Sequence, residues 1–507
     1  MNGSLVRGIA FLHSWAGLLF GWVLFAIFFA GSMAIYGREI THWATPELHS
    51  QPLVTEEQAL QQGTVLLRQM APDARVWEIT LPTERERSLQ VGWRDAEGGQ
   101  ETLRIAPGTG VELRETEGGR LFNRLHHRFG LDGDYNRLGR WAAGIVGFVM
   151  LVILISGVLI HRHIFRDILT FRPRGSRLLA WADAHRLTSV IGLPFTLMIV
   201  TTSFAVNYWI YFPAAIATLY NGDAQTFRAD VGQGRGFNDV AETPAGPSAA
   251  VLPLPDVIAV AKRAMGTGGI SSVTMRDPGR STALIEVRSR RDDRISQQMD
   301  RAVINGQTGQ VIELVTDRPP MFATQSVMVG MHYALFGGWP MRLLYFFCGL
   351  LGAAAIATGT LLFAQKRMGR STRWAAFSAR ANPGAIMAAP IAAACYLWGL
   401  RLVPATVPDR AAMEVPIFYC AMLLTIIYAA IRRPARAWRE LTTLLALLCL
   451  ALPLSAVTTP HGALAATLGA GDFITAGVDL AAIAIGLAAA MLAVHLYRRS
   501  GPGQTVR

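Results

Sequence analysis

The stretch "GVLIHRHIFRD", residues 157–167, ends a long apolar run on two histidines and two arginines. Imidazole is a poor group to leave in lipid and a good metal ligand, so this stretch reads in two ways. In the plainer reading His161 and His163 mark where the hydrocarbon layer stops. In the other, they belong to a metal or cofactor site at the end of a membrane span. The remainder of the chain has to separate the two.

The chain has 507 residues, of which 51% are hydrophobic and 16% charged, the composition of a polytopic membrane protein with some water-exposed mass. Its net charge of +12 gathers in short segments between apolar runs, where topology signals sit, and this argues against nucleic acid as a partner. Cys348, Cys395, Cys420 and Cys449 lie inside apolar runs without paired spacing, which points to packing thiols rather than a disulfide framework or thiolate metal site.

A span needs about 20 apolar residues to cross a hydrocarbon core of about 30 Å. By that measure spans run near 9–36, 139–162, 184–212, 339–364, 383–402, 413–431, 440–458 and 474–497. The chain then divides into span one (1–36), a first soluble segment (37–138), span two (139–163), a basic loop (164–183), span three (184–212), a second soluble segment (213–338), span four (339–366) and a C-terminal four-span region (380–500). The first run carries a small-residue "AGSMA" but is too long for a signal peptide and contains His13, so a retained helix is expected. Residues 162–186 hold six arginines, and 366–380 hold Lys366 and four arginines with no acid. The positive-inside rule makes those sides and both termini cytoplasmic, with both soluble segments outside the inner membrane.

The fold class expected is an α-helical polytopic membrane protein of about eight spans with two extracytoplasmic α+β domains in an internal repeat. Span three aligns under span one with His185 beneath His13, Ser203 beneath Gly31 and Tyr208 beneath Tyr36. Span four aligns under span two, "ISGVLI" over "ATGTLL" and Gly147 over Gly349. Each soluble segment opens on Pro-Leu and a helical pattern, then gives strand-like runs and closes on strand, glycine turn and strand, "LRIAPGTGVELRE" and "RAVINGQTGQVIELV". "GQGRG" at 232–236 follows no strand and opens no helix, so no dinucleotide site is expected.

The "INGQTG" turn, the paired soluble segments, the histidines before spans two and four, and "HRHIFRDILTFRPRGSRLLAWADAHR" running into "GLPF" together resemble the PepSY-associated transmembrane proteins, often described as iron-regulated membrane proteins. The likeness covers about residues 1–370; it does not reach 371–507. It implies PepSY-like extracytoplasmic domains, haem b, and reduction of ferric siderophores at the periplasmic face. The family often has histidine directly after the "PF" of span three, where this chain has Thr196.

Most of the 11 histidines lie near span ends. His13, His161, His163 and His185 fall towards the cytoplasmic face, and His126, His127 and His332 towards the outer face. Two clusters suit two haems, because haem iron takes axial imidazoles from facing helices and a bundle offers an apolar interior. The repeat pairs His13 with His185 for an inner haem, and His126 or His127 with His332 for an outer one, whereas the counterpart of His161 is Phe363. His161 is then either a replacement ligand or a propionate neighbour. Arg128, Arg162 and Arg186 are candidate propionate partners, although topology explains the last two equally well. Gly17, Gly21, Gly144, Gly147, Gly349 and Gly352 serve either ring approach or plain helix contact, and Trp15, Trp141, Trp181, Trp209 and Trp339 read as belt residues. His42, His49, His461 and His495 have no repeat partner and are expected to be solvated or packed. Asp472 and Asp479 flank the start of span eight; with no basic partner visible nearby, they are expected at the membrane interface. Glu84, Glu86 and Glu97 alternate with arginine as a solvated face.

The expected function is an inner-membrane haem-b oxidoreductase passing electrons outward to a ferric siderophore, with a quinol or a cytoplasmic reductase as donor, since no nicotinamide or flavin motif occurs. Two other classes stand beside it. One is a non-redox scaffold or regulator whose soluble domains bind a peptide or protease; the other is a transporter, weakened by halves of one orientation and no broken helices.

Overall fold

The computed structural model describes residues 3–49, 51, 53–161, 176–211, 213–223, 226–227, 244–292, 294–316, 319–368, 373–458 and 463–499. His163, Arg162 and His461 lie outside them. The described chain forms two compact units, one from residues 1–49, 115–210 and 339–507, the other from 50–114 and 211–338.

The first unit is helical. Among the described residues, its eight helices long and apolar enough to span a bilayer are α1 (Gly3–Ala34), α5 (Asn136–Ile160), α6 (Arg177–Val206), α9 (Gly338–Met368), α10 (Arg373–Leu402), α11 (Arg410–Ile431), α12 (Pro434–Ala451) and α13 (Phe473–Arg498). Two shorter helices, α2 (Gly37–Trp43) and α4 (Arg120–Arg128), follow α1 and precede α5. The helix ends differ from the apolar limits because caps set them. Ser176 accepts a hydrogen bond from the Leu179 amide, so α6 begins several residues before its apolar run.

The C-terminal helices are tied to the rest of this unit by buried polar contacts. Arg410 and Glu414 pair on α11, both almost fully buried. Arg410 also donates to the carbonyls of Glu115 (2.9 Å) and Leu400 (2.6 Å), while Glu414 accepts from Thr116 Oγ1 (2.9 Å) and the Glu117 amide (2.7 Å). Asn382 on α10 accepts from Trp22 Nε1 at 2.9 Å and donates to the Thr360 carbonyl at 3.2 Å. Such groups are stable in a dry interior only when paired in this way.

The second unit is an α+β body in which the two soluble segments share one antiparallel sheet. In chain order its strands are β1 (Val76–Thr80), β2 (Leu89–Arg94), β3 (Gln100–Ile105), β4 (Ile270–Arg276), β5 (Leu284–Ser289), β6 (Arg301–Asn305) and β7 (Val311–Val315). The sheet order is β3-β2-β1-β4-β5-β6-β7. Pairing β1 with β4, Trp77 against Met275 and Ile79 against Val273, joins the halves and removes the edge each would present alone. Helices α3 (Glu56–Met70) and α7 (Leu254–Met265) cover one face, packing Leu60, Leu67, Val257 and Ile258 on Ile79, Val91, Ile285 and Ile304. Full burial of each such side chain contributes about 1.5–3 kcal/mol. At the β6–β7 turn Asn305 Oδ1 accepts from the Gln307 and Thr308 amides (2.9 and 3.0 Å), and Gly309 takes φ 72°, which a side chain would oppose.

Candidate functional site

His13 lies on α1 and His185 on α6, with ring centroids 6.3 Å apart and planes inclined at 55°. Each ring is held by the partner helix of its own half. His13 Nδ1 is 3.0 Å from the Ile153 carbonyl and 3.0 Å from Ser156 Oγ. His185 Nδ1 is 2.9 Å from the Ala355 carbonyl and 3.5 Å from Thr358 Oγ1. The hydroxyls donate to the same carbonyls, Ser156 to Ile153 at 2.9 Å and Thr358 to Ala355 at 3.0 Å. Glycine opens the space for both rings. A Cβ on Gly157 would stand 3.1 Å from His13 Cε1, and one on Gly359 would stand 3.0 Å from His185 Cε1. Ile153, Ser156 and Gly157 are the repeat counterparts of Ala355, Thr358 and Gly359, so one arrangement is built twice.

A carbonyl can only accept, so Nδ1 of each ring carries the proton and donates, leaving the Nε2 lone pair free for a metal. Two imidazoles binding one iron at about 2 Å each, with ring centres roughly 1 Å behind the nitrogens, stand about 6 Å apart. His13 and His185 match that spacing. One turn along α1, a Cβ on Gly17 would meet nothing within 4 Å, whereas Gly21, Gly349 and Gly352 close against Thr360, Ser32 and Phe28 as helix contacts. Among the described residues no group of three or more His, Cys, Asp or Glu could hold a metal ion. A pair of axial imidazoles suits a metal whose remaining positions are filled by its own macrocycle.

His126 is the third ring of this kind. Its Nδ1 is 2.9 Å from the Ile27 carbonyl, and a Cβ on Gly31 would stand 2.7 Å from that nitrogen. Burial lowers its pKa despite the Ile27 bond, which keeps it neutral and able to ligate. His127 turns back on its own helix, with Nδ1 2.6 Å from the Asn123 carbonyl, and burial above all lowers its pKa to about 4. His332 ends helix α8 (Pro320–Tyr333) in the other unit, its ring edge-on to Tyr333 at 6.0 Å. His161 caps α5, its amide 3.3 Å from the Gly157 carbonyl, near enough to act electrostatically on both His13 and His185. Arg128 and Arg186 are engaged by Asp132 and Asp183, each at 2.8 Å. Thr196 is buried in α6, 3.7 Å from a Cβ on Gly352.

The match to a family model follows this geometry. Residues 10–366 match the model described as the PepSY-associated TM region. The chain belongs to that family. A search of curated proteins finds no match to it. The family match spans both copies of the repeat and the candidate ligands His13, His126, His127, His161, His185 and His332, and it stops before α10 to α13.

Two sets of residues escaped sequence reasoning. Ser156 and Thr358 were visible only as aligned small residues; a hydroxyl directly before the aligned glycine in both copies, Ser156-Gly157 and Thr358-Gly359, was the available signal. Asp472 and Asp479, expected at the interface without partners, are 1% exposed. Asp472 Oδ2 is 3.3 Å from His42 Nε2, and Asp479 Oδ1 accepts from Trp43 Nε1 at 2.9 Å. Their partners lie more than 400 residues away in sequence, on the segment after α1, where no neighbouring-span inspection finds them. Of the two alternatives for His42 and His49, solvated or packed, burial at 2% and 3% exposure bears out the packed one.

Proposed function

We propose that this PepSY-associated membrane protein is an inner-membrane haem-b oxidoreductase that passes electrons outward to reduce a ferric siderophore at the periplasmic face. The observation that carries this reading is the His13–His185 pair, anchored through Nδ1 in the same way in both halves and spaced for one iron. Haem b, when bound, supplies one-electron transfer, with a potential set by its axial ligands and burial. His13 and His185 would hold the inner haem. Ser156 and Thr358 would fix the ring planes, and Gly157, Gly359 and Gly17 would leave room. His126, the better placed of the two neighbours, would be a ligand of the outer haem. His161 would stand beside the inner pair as a charge neighbour or replacement ligand.

The siderophore comes from the family likeness. Reducing ferric iron to the ferrous ion weakens its hold by hard oxygen ligands and so releases it from the chelate. The donor would be a quinol or a cytoplasmic reductase, and both termini would be cytoplasmic by the charge of the short loops. The test is the absorption spectrum of the purified chain before and after dithionite. Reduced b-type bands with about two haems per chain are expected; a colourless protein would falsify the proposal.

A peptide-binding role has one observation in its favour. The outermost strand β7 exposes Ile312 and Leu314, and an open edge of that kind accepts an added strand. A colourless protein that retains an extended peptide would move the assignment to that class.

A further inference from the structure

A second cluster of titratable groups is buried where α2 and the turn after it meet α10 and α13. His42, His49, Asp472, Asp479 and Arg401 are 2%, 3%, 1%, 1% and 5% exposed. His42 and His49 face each other with ring centroids 5.7 Å apart. The Arg401 guanidinium lies 4.1 Å from the centre of the Trp43 ring, and Trp43 donates to Asp479. Asp472 also accepts from Thr475 Oγ1 at 2.8 Å. The other charged groups of this segment are Arg38 on the first turn of α2, Glu39, whose carboxylate is 3.9 Å from Arg342, and Glu47 on the turn between the two histidines.

On its imidazoles and carboxylates three atoms are buried with no hydrogen-bond partner: His42 Nδ1, His49 Nδ1 and Asp479 Oδ2. Their chemistry says what is needed. His49 Nε2 is 3.2 Å from the Trp43 carbonyl and therefore carries the ring proton, so Nδ1 presents a lone pair. Burial above all, then the nearby Arg401, holds the His49 pKa at about 3, so this ring stays neutral. His42 Nε2 faces the Asp472 carboxylate and likewise donates, so Nδ1 is the ring atom still to be matched. Asp479 Oδ2 is an acceptor when ionised. Acceptors cannot satisfy one another, and leaving each unmade in a dry interior costs about 1–3 kcal/mol. A metal cation is disfavoured by Arg401 and by the absence, among the described residues, of any group of three or more metal-binding side chains. The occupant must be small, must donate, and must be able to accept in return. Water does all three.

We propose that His42, His49, Asp472 and Asp479 form a buried hydrated proton-exchange site, in which water bridges His42 Nδ1, His49 Nδ1 and Asp479 Oδ2 and Asp479 takes the proton. With Asp479 ionised, the water donates to the carboxylate and to an imidazole. When a proton arrives from the outer solvent it bonds to Oδ2, whose O–H then donates to the same water, while the water still donates to a ring nitrogen. In the protonated state the water can donate to both ring nitrogens, so all three atoms are satisfied; in the ionised state its two hydrogens serve the carboxylate and one ring, the other ring taking a second water, and no electron moves. The His42–Asp472 pair fixes one ring and the Trp43 carbonyl fixes the other, so the acceptors stay in place through the exchange. The site assigns a task to α10 and α13, which lie outside the family match.

Infrared difference spectra of the full chain through a pH titration, in H2O and D2O, test this without any haem. One carboxylic-acid band that shifts in D2O is expected in the unmodified protein, lost in Asp479→Asn and kept in Glu39→Gln. Asp479→Asn retains the oxygen that Trp43 needs, so the fold should persist, which the melting temperature checks. A band unchanged in Asp479→Asn would overturn the proposal. A density map able to resolve internal water is the second measurement. Water within hydrogen-bond reach of at least two of the three atoms supports the site; protein groups filling that space would overturn it.

Discussion

The histidines of the repeat and those beside the C-terminal helices are anchored through opposite nitrogens. His13, His126 and His185 bind a backbone carbonyl through Nδ1, whereas His42 and His49 bind their partners through Nε2. The nitrogen left over differs in access. Nε2 lies at the far end of the ring, clear of the backbone, and can meet a metal face on; Nδ1 is flanked by Cβ and suits a hydrogen bond to something small. Two buried histidine groups in one membrane unit are thereby prepared for different chemistry, and the choice is made by which carbonyl or carboxylate each ring meets.

Replacing either kind of histidine separates them most sharply. His185→Ala removes an axial imidazole, and haem is expected to fall from about two to about one per chain, because a single remaining imidazole holds the iron poorly. His13→Ala should give the same result. His42→Gln should leave the haem content unchanged, since its free nitrogen faces the polar cluster. Pyridine haemochrome per chain reads all three. Full haem in His185→Ala, or a loss in His42→Gln, would break the distinction.

Glycines beside the rings come next. Gly31→Ala places a Cβ 2.7 Å from His126 Nδ1, so the ring must move off the Ile27 carbonyl. Overpacking of this kind costs about 1–3 kcal/mol, roughly a ten- to hundredfold loss in affinity at the outer haem. Gly17→Leu sharpens the inner assignment, because a Cβ there meets no protein atom within 4 Å. If the space is for a macrocycle, this variant keeps its apo melting temperature and loses inner haem. Unchanged haem would mean that Gly17 simply faces lipid.

The pH dependence of stability carries the same contrast at lower amplitude. Burial holds His49 at about 3 and His127 at about 4, against 6.5 for a free imidazole. Between those values the unfolded chain binds more protons than the folded one, so stability rises with pH across the window. It is complete above about 6.5 and is lost as pH falls towards 4 and 3. Asp472 acts in the same sense: burial would raise it, but the bonds from His42 and Thr475 prevail and hold it below the free carboxylate value. Melting temperature against pH should therefore fall on acidification, with a shallower slope in His49→Gln. An unchanged slope would mean that His49 is not the buried neutral base described here.

Much of the helical unit was legible in the sequence because apolar length and repeat alignment are local or nearly local signals. His13 over His185 and Gly157 over Gly359 follow from laying one half on the other, and both pairs occupy matching places. The shared sheet was not legible. Each segment reads as its own small sheet, and only the β1–β4 pairing, between residues 76–80 and 272–276, makes them one. The Asp472–His42 contact hides for the same reason: it joins the N-terminal end of span eight to the segment after span one, and no periodicity records such a meeting.

The smallest effect tests whether the two copies of the inner arrangement are equal. Ser156 Oγ is 3.0 Å from His13 Nδ1, but Thr358 Oγ1 is 3.5 Å from His185 Nδ1, beyond the usual range for a good hydrogen bond. Each ring keeps its carbonyl when the hydroxyl is removed, so neither loss should cost a haem. Ser156→Ala should cost about 0.5–1.5 kcal/mol of ligand positioning, equivalent to roughly 20–60 mV in a one-electron potential. Thr358→Val should move the potential less, since there is little bond to lose. Redox titration of the inner band decides the order. Equal shifts would show that the hydroxyls act through the carbonyls to which both donate, and the difference in distance would then have no bearing on the rings.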